Sequence, residues 1–210
     1  MKVAIIDYGM GNLGSVRRAL DELGANPVIV AKPEEAGTAD KLILPGVGGF
    51  ADGMSSLRES GWKDAIREQV LNNGKMLLGI CLGMQLLATR GEEGLRDGHS
   101  EGLGLIPGEV VRLDKAGCGL RIPHVGWNAI EVSPGARLFE GVPPETDFYF
   151  VHSYVFQPEC AADVMATCDY GTRFAASIGK GGVLGTQFHP EKSSRAGFQV
   201  LRNFLEMTSC

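Results

Sequence analysis

Met76-Leu77-Leu78-Gly79-Ile80-Cys81-Leu82-Gly83-Met84-Gln85-Leu86-Leu87 joins an apolar run to an amphipathic segment through a single cysteine. Gly79 and Gly83 stand two positions either side of Cys81. Small residues at those positions are what a sharp strand-to-helix turn requires, because a Cβ there would clash, and such a turn lifts the intervening side chain above the sheet edge. The thiol then sits at a helix start, where the helix dipole and free N–H groups favour thiolate. A cysteine in an apolar stretch is more often a small buried hydrophobe. A second cluster shifts the balance toward a nucleophile.

That cluster is Thr186-Gln187-Phe188-His189-Pro190-Glu191, which follows the strand-like Val183-Leu184. A cysteine attacking a carbonyl needs an imidazole to handle its proton, and the imidazole needs a carboxylate to fix its tautomer and stabilise its charge. Cys81, His189 and Glu191 supply all three, each near the end of a strand-like run. A loop histidine beside a solvated acid would explain His-Pro-Glu alone, but not the pair of clusters.

Composition sets the frame for this chemistry. The chain has 210 residues, 44% of them hydrophobic, enough for a full core and most simply one domain over 1–210. A net charge of −5 without a block of Lys or Arg favours neither nucleic acid nor anionic membrane as partner. Asp7 cuts short the apolar start Val3-Ala4-Ile5-Ile6, and no run approaches a membrane span, so the chain reads as cytosolic. Five cysteines (Cys81, Cys118, Cys160, Cys168, Cys210) lack the close pairing of zinc sites and are expected as free thiols. No residue pattern calls for a metal or a cofactor.

The first half alternates in βα fashion. Strands are expected at Val3 to Ile6, Pro27 to Ala31, Lys41 to Leu44 and up to Cys81, with helices at about Leu13 to Leu23, Asp52 to Arg58 and Trp62 to Asn72. Short strand-helix-strand connections imply a parallel sheet. Later strands, at Val110 to Leu113, Asn128 to Val132, Phe148 to Phe156, Val164 to Cys168, Phe174 to Ile178 and Val183 to Gln187, are separated by turn residues and read as antiparallel. A closing helix, Ser194 to Met207, carries Phe198, Leu201, Phe204 and Leu205 on one face. Gly9, Gly11 and Gly14 match the dinucleotide fingerprint literally, but the strand that should end in a ribose-binding acid ends Val30-Ala31-Lys32. Those glycines are assigned to a tight turn.

Thiolate attack on an amide creates an oxyanion that needs preplaced donors. The N–H of Leu82 is one source. The stretch Pro45-Gly46-Val47-Gly48-Gly49 is the other, through Val47 and Gly48, because its glycines let a main-chain N–H turn toward a ligand beyond the strand end.

With these pieces the sequence resembles the class I, triad-type glutamine amidotransferases. Pro45 to Gly48, Gly79 to Gln85 and Gln187 to Glu191 carry the likeness. Within the family it is most similar to the glutaminase subunits of imidazole glycerol phosphate synthases, through Asp7 to Leu13, Gly102 to Gly108, Pro123 to Asn128, Phe148 to Tyr154 and His189 to Ser193. Val125, where that group has Met, and the glycine-rich stretch 179–182 depart from the pattern without touching the triad.

The resemblance implies an α/β fold, a doubly wound, flavodoxin-like and mainly parallel sheet with antiparallel additions in the C-terminal half. It implies L-glutamine as substrate, a glutamyl thioester on Cys81, and ammonia channelled to a (β/α)8-barrel cyclase subunit in a heterodimer serving histidine biosynthesis. It further implies that Gly48, Gln85, Glu93, His152 and Ser153 hold the substrate, and that Asn12, Trp127, Asn128, Tyr149 and Lys192 face the partner. Finally, it implies that the Pro45 to Gly48 strand rearranges to complete the oxyanion hole. A paralogue feeding a sugar-amidation synthase, a stand-alone γ-glutamyl or peptide hydrolase, and a non-catalytic subunit are the competing readings.

Overall fold

The computed structural model describes residues 1–94 and 98–208; Cys210, expected as a free thiol, lies outside them. Along the chain run β1 (Lys2–Ile6), α1 (Leu13–Glu22), β2 (Asn26–Val30), β3 (Lys41–Gly46), α2 (Phe50–Glu59), α3 (Trp62–Arg67), β4 (Met76–Cys81) and α4 (Leu82–Gln85). They are followed by β5 (Arg90–Gly91), β6 (Ser100–Glu101), β7 (Gly108–Arg112), β8 (His124–Val132), β9 (Asp147–His152), β10 (Tyr154–Pro158), β11 (Val164–Asp169), β12 (Arg173–Lys180), β13 (Val183–Thr186) and α5 (Ser194–Glu206).

Nine strands form one sheet in the order β2-β1-β3-β4-β13-β12-β11-β8-β9. The pairs from β2 to β13 are parallel, and those from β13 to β9 are antiparallel. This is the doubly wound α/β architecture with antiparallel additions. Alternation along β1 shows why helices cover both faces: Val3 and Ile5 enter one core with Leu20 and Phe204, while Ala4 and Ile6 enter the other with Met54 and Trp62. Lys41 is buried at the start of β3 and donates from Nζ to the Phe204 and Leu205 carbonyls, satisfying the orphaned end of α5.

The pairing of β4 with β13 positions the site. Leu77 to Ile80 lie beside Val183 to Thr186 in parallel register, so the two chemically marked stretches, remote in sequence, leave the sheet at the same end.

Three features depart from the sequence expectation. The run Phe148 to Phe156, expected as one strand, is two: β9 ends at His152, and β10 joins β7 in a separate four-stranded sheet with β5 and β6. Apolar residues continue through both, so composition gives no sign of the break at Ser153, whose carbonyl accepts from Leu113 N–H. The segment after Cys81, expected as an amphipathic helix, is a single turn, with Leu82 through Ala88 all buried. The strands β5 and β6, two residues each, carry too little periodicity to be read.

Candidate active site

The turn at Cys81 follows from its neighbours' lack of side chains. A Cβ on Gly79 would lie 2.6 Å from the Gly83 carbonyl oxygen, and one on Gly83 would overlap the Leu44 carbonyl oxygen. Both neighbours are backbone and cannot yield. The chain therefore packs β4, α4 and β3 main chain to main chain, and Cys81 takes φ +55°, ψ −111° between them. A left-handed φ on a residue with a Cβ is strained, a feature that clusters at active sites.

His189 and Glu191 sit just past β13. His189 Nδ1 is 2.8 Å from Glu191 Oε1, with side chains only 3% and 2% exposed. The carboxylate fixes Nδ1 as the protonated nitrogen and turns Nε2 toward the pocket side. The His189 main-chain N–H donates to Tyr149 O, and Ser193 Oγ bridges Tyr149 N–H and His189 O. Strand β9 thus holds the turn that carries the imidazole.

Burial pulls the His189 pKa down, but the nearness of Cys81, together with the hydrogen bond and charge of Glu191, outweighs it and holds the group up at about 9. The imidazolium is therefore the form that a neighbouring thiolate stabilises. In this structure Nε2 has no hydrogen-bond partner. Cys81 Sγ instead donates to Val151 O at 3.8 Å and lies 3.7 Å from Gln187 Nε2.

A cavity of about 200 Å³ opens over Sγ, lined by Val47, Gly48, Cys81, Leu82, Gln85, Glu93, Val151, His152, Ser153, Tyr154 and His189. Its size suits a small metabolite, and all the triad-side and substrate-side residues expected from the sequence line it except Glu191, which stands behind His189. A larger open groove elsewhere, lined by Ile130, Phe139, Asp169 and Arg173 among others, lacks a nucleophile paired with a base.

Gln85 is not a surface amide. It is 4% exposed, and Nε2 donates to Tyr154 O at 3.0 Å and Gln187 Oε1 at 2.9 Å. Glu93 is not a solvated loop acid: its Oε2 accepts from Phe50 N–H at the start of α2, and burial, aided by Asp52, raises its pKa. The N–H groups of Val47 and Gly48 have no backbone acceptor among the described residues, and Gly48 is at φ +112°. They remain available as donors.

Of the residues expected at a partner surface, Trp127 is 50% exposed and its ring lies 5.9 Å from that of Tyr149, over which Lys192 Nζ stands at 6.0 Å. Val125, Val151 and Val47 are also exposed. Asn12 Oδ1 accepts from Ser15 N–H and caps α1. The Asn128 side chain, half-buried, meets His124. Sequence reasoning quoted Gln187 and Tyr154 only as motif members; their contacts to Gln85 arise from strands that meet only in the folded chain. Among the described residues no cluster of His, Cys, Asp and Glu has the arrangement of a metal site, and no helix is long and apolar enough to cross a membrane.

Residues 4–207 match the family model described as glutamine amidotransferase class-I. The chain is 52% identical to the imidazole glycerol phosphate synthase subunit HisH of Moorella thermoacetica, across 98% of this chain and 94% of that one. It is 48% identical to the protein of the same name in Methanosarcina acetivorans, across 98% of each. A crystal structure described as a glutamine amidotransferase superposes with a TM-score of 0.75 at 26% identity, covering 97% of both chains.

Proposed function

The chain belongs to the class I glutamine amidotransferases, and on that premise we propose that it is the glutaminase subunit of an imidazole glycerol phosphate synthase. The observation that carries the chemistry is the convergence of Cys81, His189 with Glu191 bonded behind it, and the Val47–Gly48 loop on one small cavity. Near-full-length identity to proteins named as that subunit supports the pathway.

In this reading residues 1–210 act as one amidotransferase domain. The Cys81 thiolate attacks the carboxamide carbon of glutamine, forming a tetrahedral oxyanion held by main-chain N–H groups of Leu82 and the Val47–Gly48 loop. His189 delivers its proton to the departing nitrogen, which leaves as ammonia and leaves a glutamyl thioester. His189 then takes a proton from water, whose oxygen displaces Sγ and releases glutamate. Glu191 stabilises the imidazolium in both steps. Gln85, Glu93 and the His152–Ser153 main chain hold the amino-acid end.

Ammonia is passed to a (β/α)8-barrel cyclase subunit docked on the face bearing Trp127, Tyr149 and Lys192. Exposed Val125, Val151 and Val47 extend that face to the cavity mouth, and half-exposed aromatic groups beside apolar neighbours are effective interface anchors. The unpartnered His189 Nε2 fits a resting state completed on docking.

The test is glutamate release from glutamine by the purified chain, alone and with the cyclase subunit and its nucleotide substrate, with Cys81→Ala as control. Release that rises steeply only in the mixture, and vanishes in the variant, supports the proposal. A rate that the partner leaves unchanged points to another ammonia acceptor or to a stand-alone hydrolase.

A further inference from the structure

Two buried histidines have side chains with no part in the chemistry above. His124 on β8 and His152 on β9 are 0% and 6% exposed and stand opposite each other in register. His124 Nδ1 is 2.9 Å from His152 Nε2, and His152 Nδ1 is 2.9 Å from Tyr154 O. At the outer end, His124 Nε2 is 2.8 Å from Asn128 Oδ1 across Gly126, which has no side chain to intervene.

The carbonyl at the inner end fixes the proton order. Tyr154 O can only accept, so His152 carries its proton on Nδ1 and offers Nε2 as acceptor. His124 must then donate from Nδ1. With His124 neutral and its proton on Nδ1, Nε2 is an acceptor, so the relay requires the Asn128 amide turned over, its N–H2 exchanged into the position of Oδ1; the oxygen facing the ring suits only an imidazolium. Burial lowers the pKa of His124, outweighing the opposing bond that Asn128 makes when its oxygen faces the ring, and brings His152 down to about 3, where the Tyr154 bond opposes it and His124 and His189 add to it. His152 is therefore neutral at ordinary pH, and burial favours the neutral form of His124. The groups packed around His124 are Phe150, Tyr170 and Phe174 beside His152 and Asn128, with Tyr170 stacked at 3.9 Å between centroids. No acid faces it among these.

The same Tyr154 carbonyl also accepts from Gln85 Nε2. We propose that His124 and His152 are positioning residues, an ordered relay from Asn128 to Tyr154 O that fixes the Val151–Tyr154 bend and the Gln85 carboxamide against which the amino-acid end of glutamine binds. The relay rests on the glutaminase reading for its substrate. It also ties the inward side of β8 to the cavity, while the outward side of the strand exposes Val125 and Trp127.

The test uses the complex with the cyclase subunit and compares His124→Phe, His124→Asn and Asn128→Leu. The first removes the donor to His152. The second places an amide N–H2 where Nδ1 stood. His124→Phe is expected to raise the KM for glutamine about tenfold while kcat stays within about threefold, since the nucleophile and its base are untouched. His124→Asn restores most of the loss, and Asn128→Leu falls between. An unchanged KM in His124→Phe, or His124→Asn no better than His124→Phe, overturns the proposal. Should His124→Phe fail to fold, Asn128→Leu at its half-buried position carries the comparison.

Nitrogen NMR of the isolated chain gives an independent readout. His152 is expected as the neutral Nδ1–H tautomer throughout about pH 5.5 to 8. The Nε2–H tautomer, or titration within that range, refutes the relay. A wild-type complex that releases no glutamate defeats the glutaminase reading alone, because the tautomer measurement needs no turnover.

Discussion

His189 Nδ1 and Glu191 Oε1 lie 2.8 Å apart in a space almost closed to water. A buried carboxylate with that partner orients the ring and stabilises its charged form; Glu191→Gln keeps the shape and removes the charge. We expect glutamate release to fall by about a hundredfold or more in Glu191→Gln, with glutamine KM little changed. Steady-state kinetics with the cyclase subunit present checks this. A KM effect alone would mean that Glu191 serves binding.

The two perturbed histidines of the site act on stability in opposite pH ranges. His189, raised to about 9, contributes stability that is fully present below its unfolded value of 6.5 and is lost as pH rises through about 9. His152, lowered to about 3, contributes stability present above 6.5 and lost as pH falls toward about 3. Thermal stability should therefore be greatest near pH 6.5. His189→Gln should flatten the alkaline limb and His152→Asn the acid limb, in thermal melts across pH. A limb unchanged by its own variant would remove that histidine from the explanation.

The close packing of β4, α4 and β3 predicts a severe effect from one methyl group. A Cβ at Gly83 meets the Leu44 carbonyl, whereas nothing lies within 4 Å of one at Gly14. Gly83→Ala should lose about 3 kcal/mol or more, with a melting temperature lower by about 10 °C, or fail to fold. Gly14→Ala, inside α1, should be neutral or slightly stabilising. Equal melting temperatures for the two would contradict the packing argument.

The pair Gly79 and Gly83 also shows what the sequence makes legible. The turn at Cys81 could be read because steric exclusion leaves a local mark, two residues without side chains at a fixed spacing. His189 and Glu191 could be read because they stand two positions apart and are chemically distinctive. The Gln85–Gln187 contact could not, since it depends on the parallel register of β4 with β13, and an amide in an apolar stretch looks the same whether it points inward or outward. The setting of Glu93 could not be read either, because its partner is a main-chain N–H at the start of α2, which every sequence possesses. The break at Ser153 was hidden by a hydrophobic pattern that runs on across two different sheets.

Trp127 and Tyr149 face each other across β8 and β9 with the Trp127 ring half exposed. Little core depends on that ring. Trp127→Ala should leave the melting temperature within about 2 °C of wild type, yet weaken association with the cyclase subunit by about 2 kcal/mol, some thirtyfold in Kd. Calorimetric titration measures the affinity, and alkylation of Cys81 by a small electrophile checks that the site is intact. A large drop in melting temperature with unchanged affinity would make Trp127 a structural residue.

Strain is concentrated at the nucleophile. Cys81 holds φ +55°, ψ −111° because β3 and α4 leave no other path, and a residue with a Cβ in that region costs about 1–3 kcal/mol. Glycine adopts it freely. Cys81→Gly should thus abolish glutamate release while raising the melting temperature by several degrees, about 3–5 °C once the lost side-chain burial is set against the relief. Cys81→Ala, which keeps the Cβ, should be equally inactive without that gain. The comparison separates strain from loss of the thiol, which both variants share. Equal melting temperatures would mean that the backbone around Cys81 relaxes at little cost, and the turn would then owe its shape to packing alone.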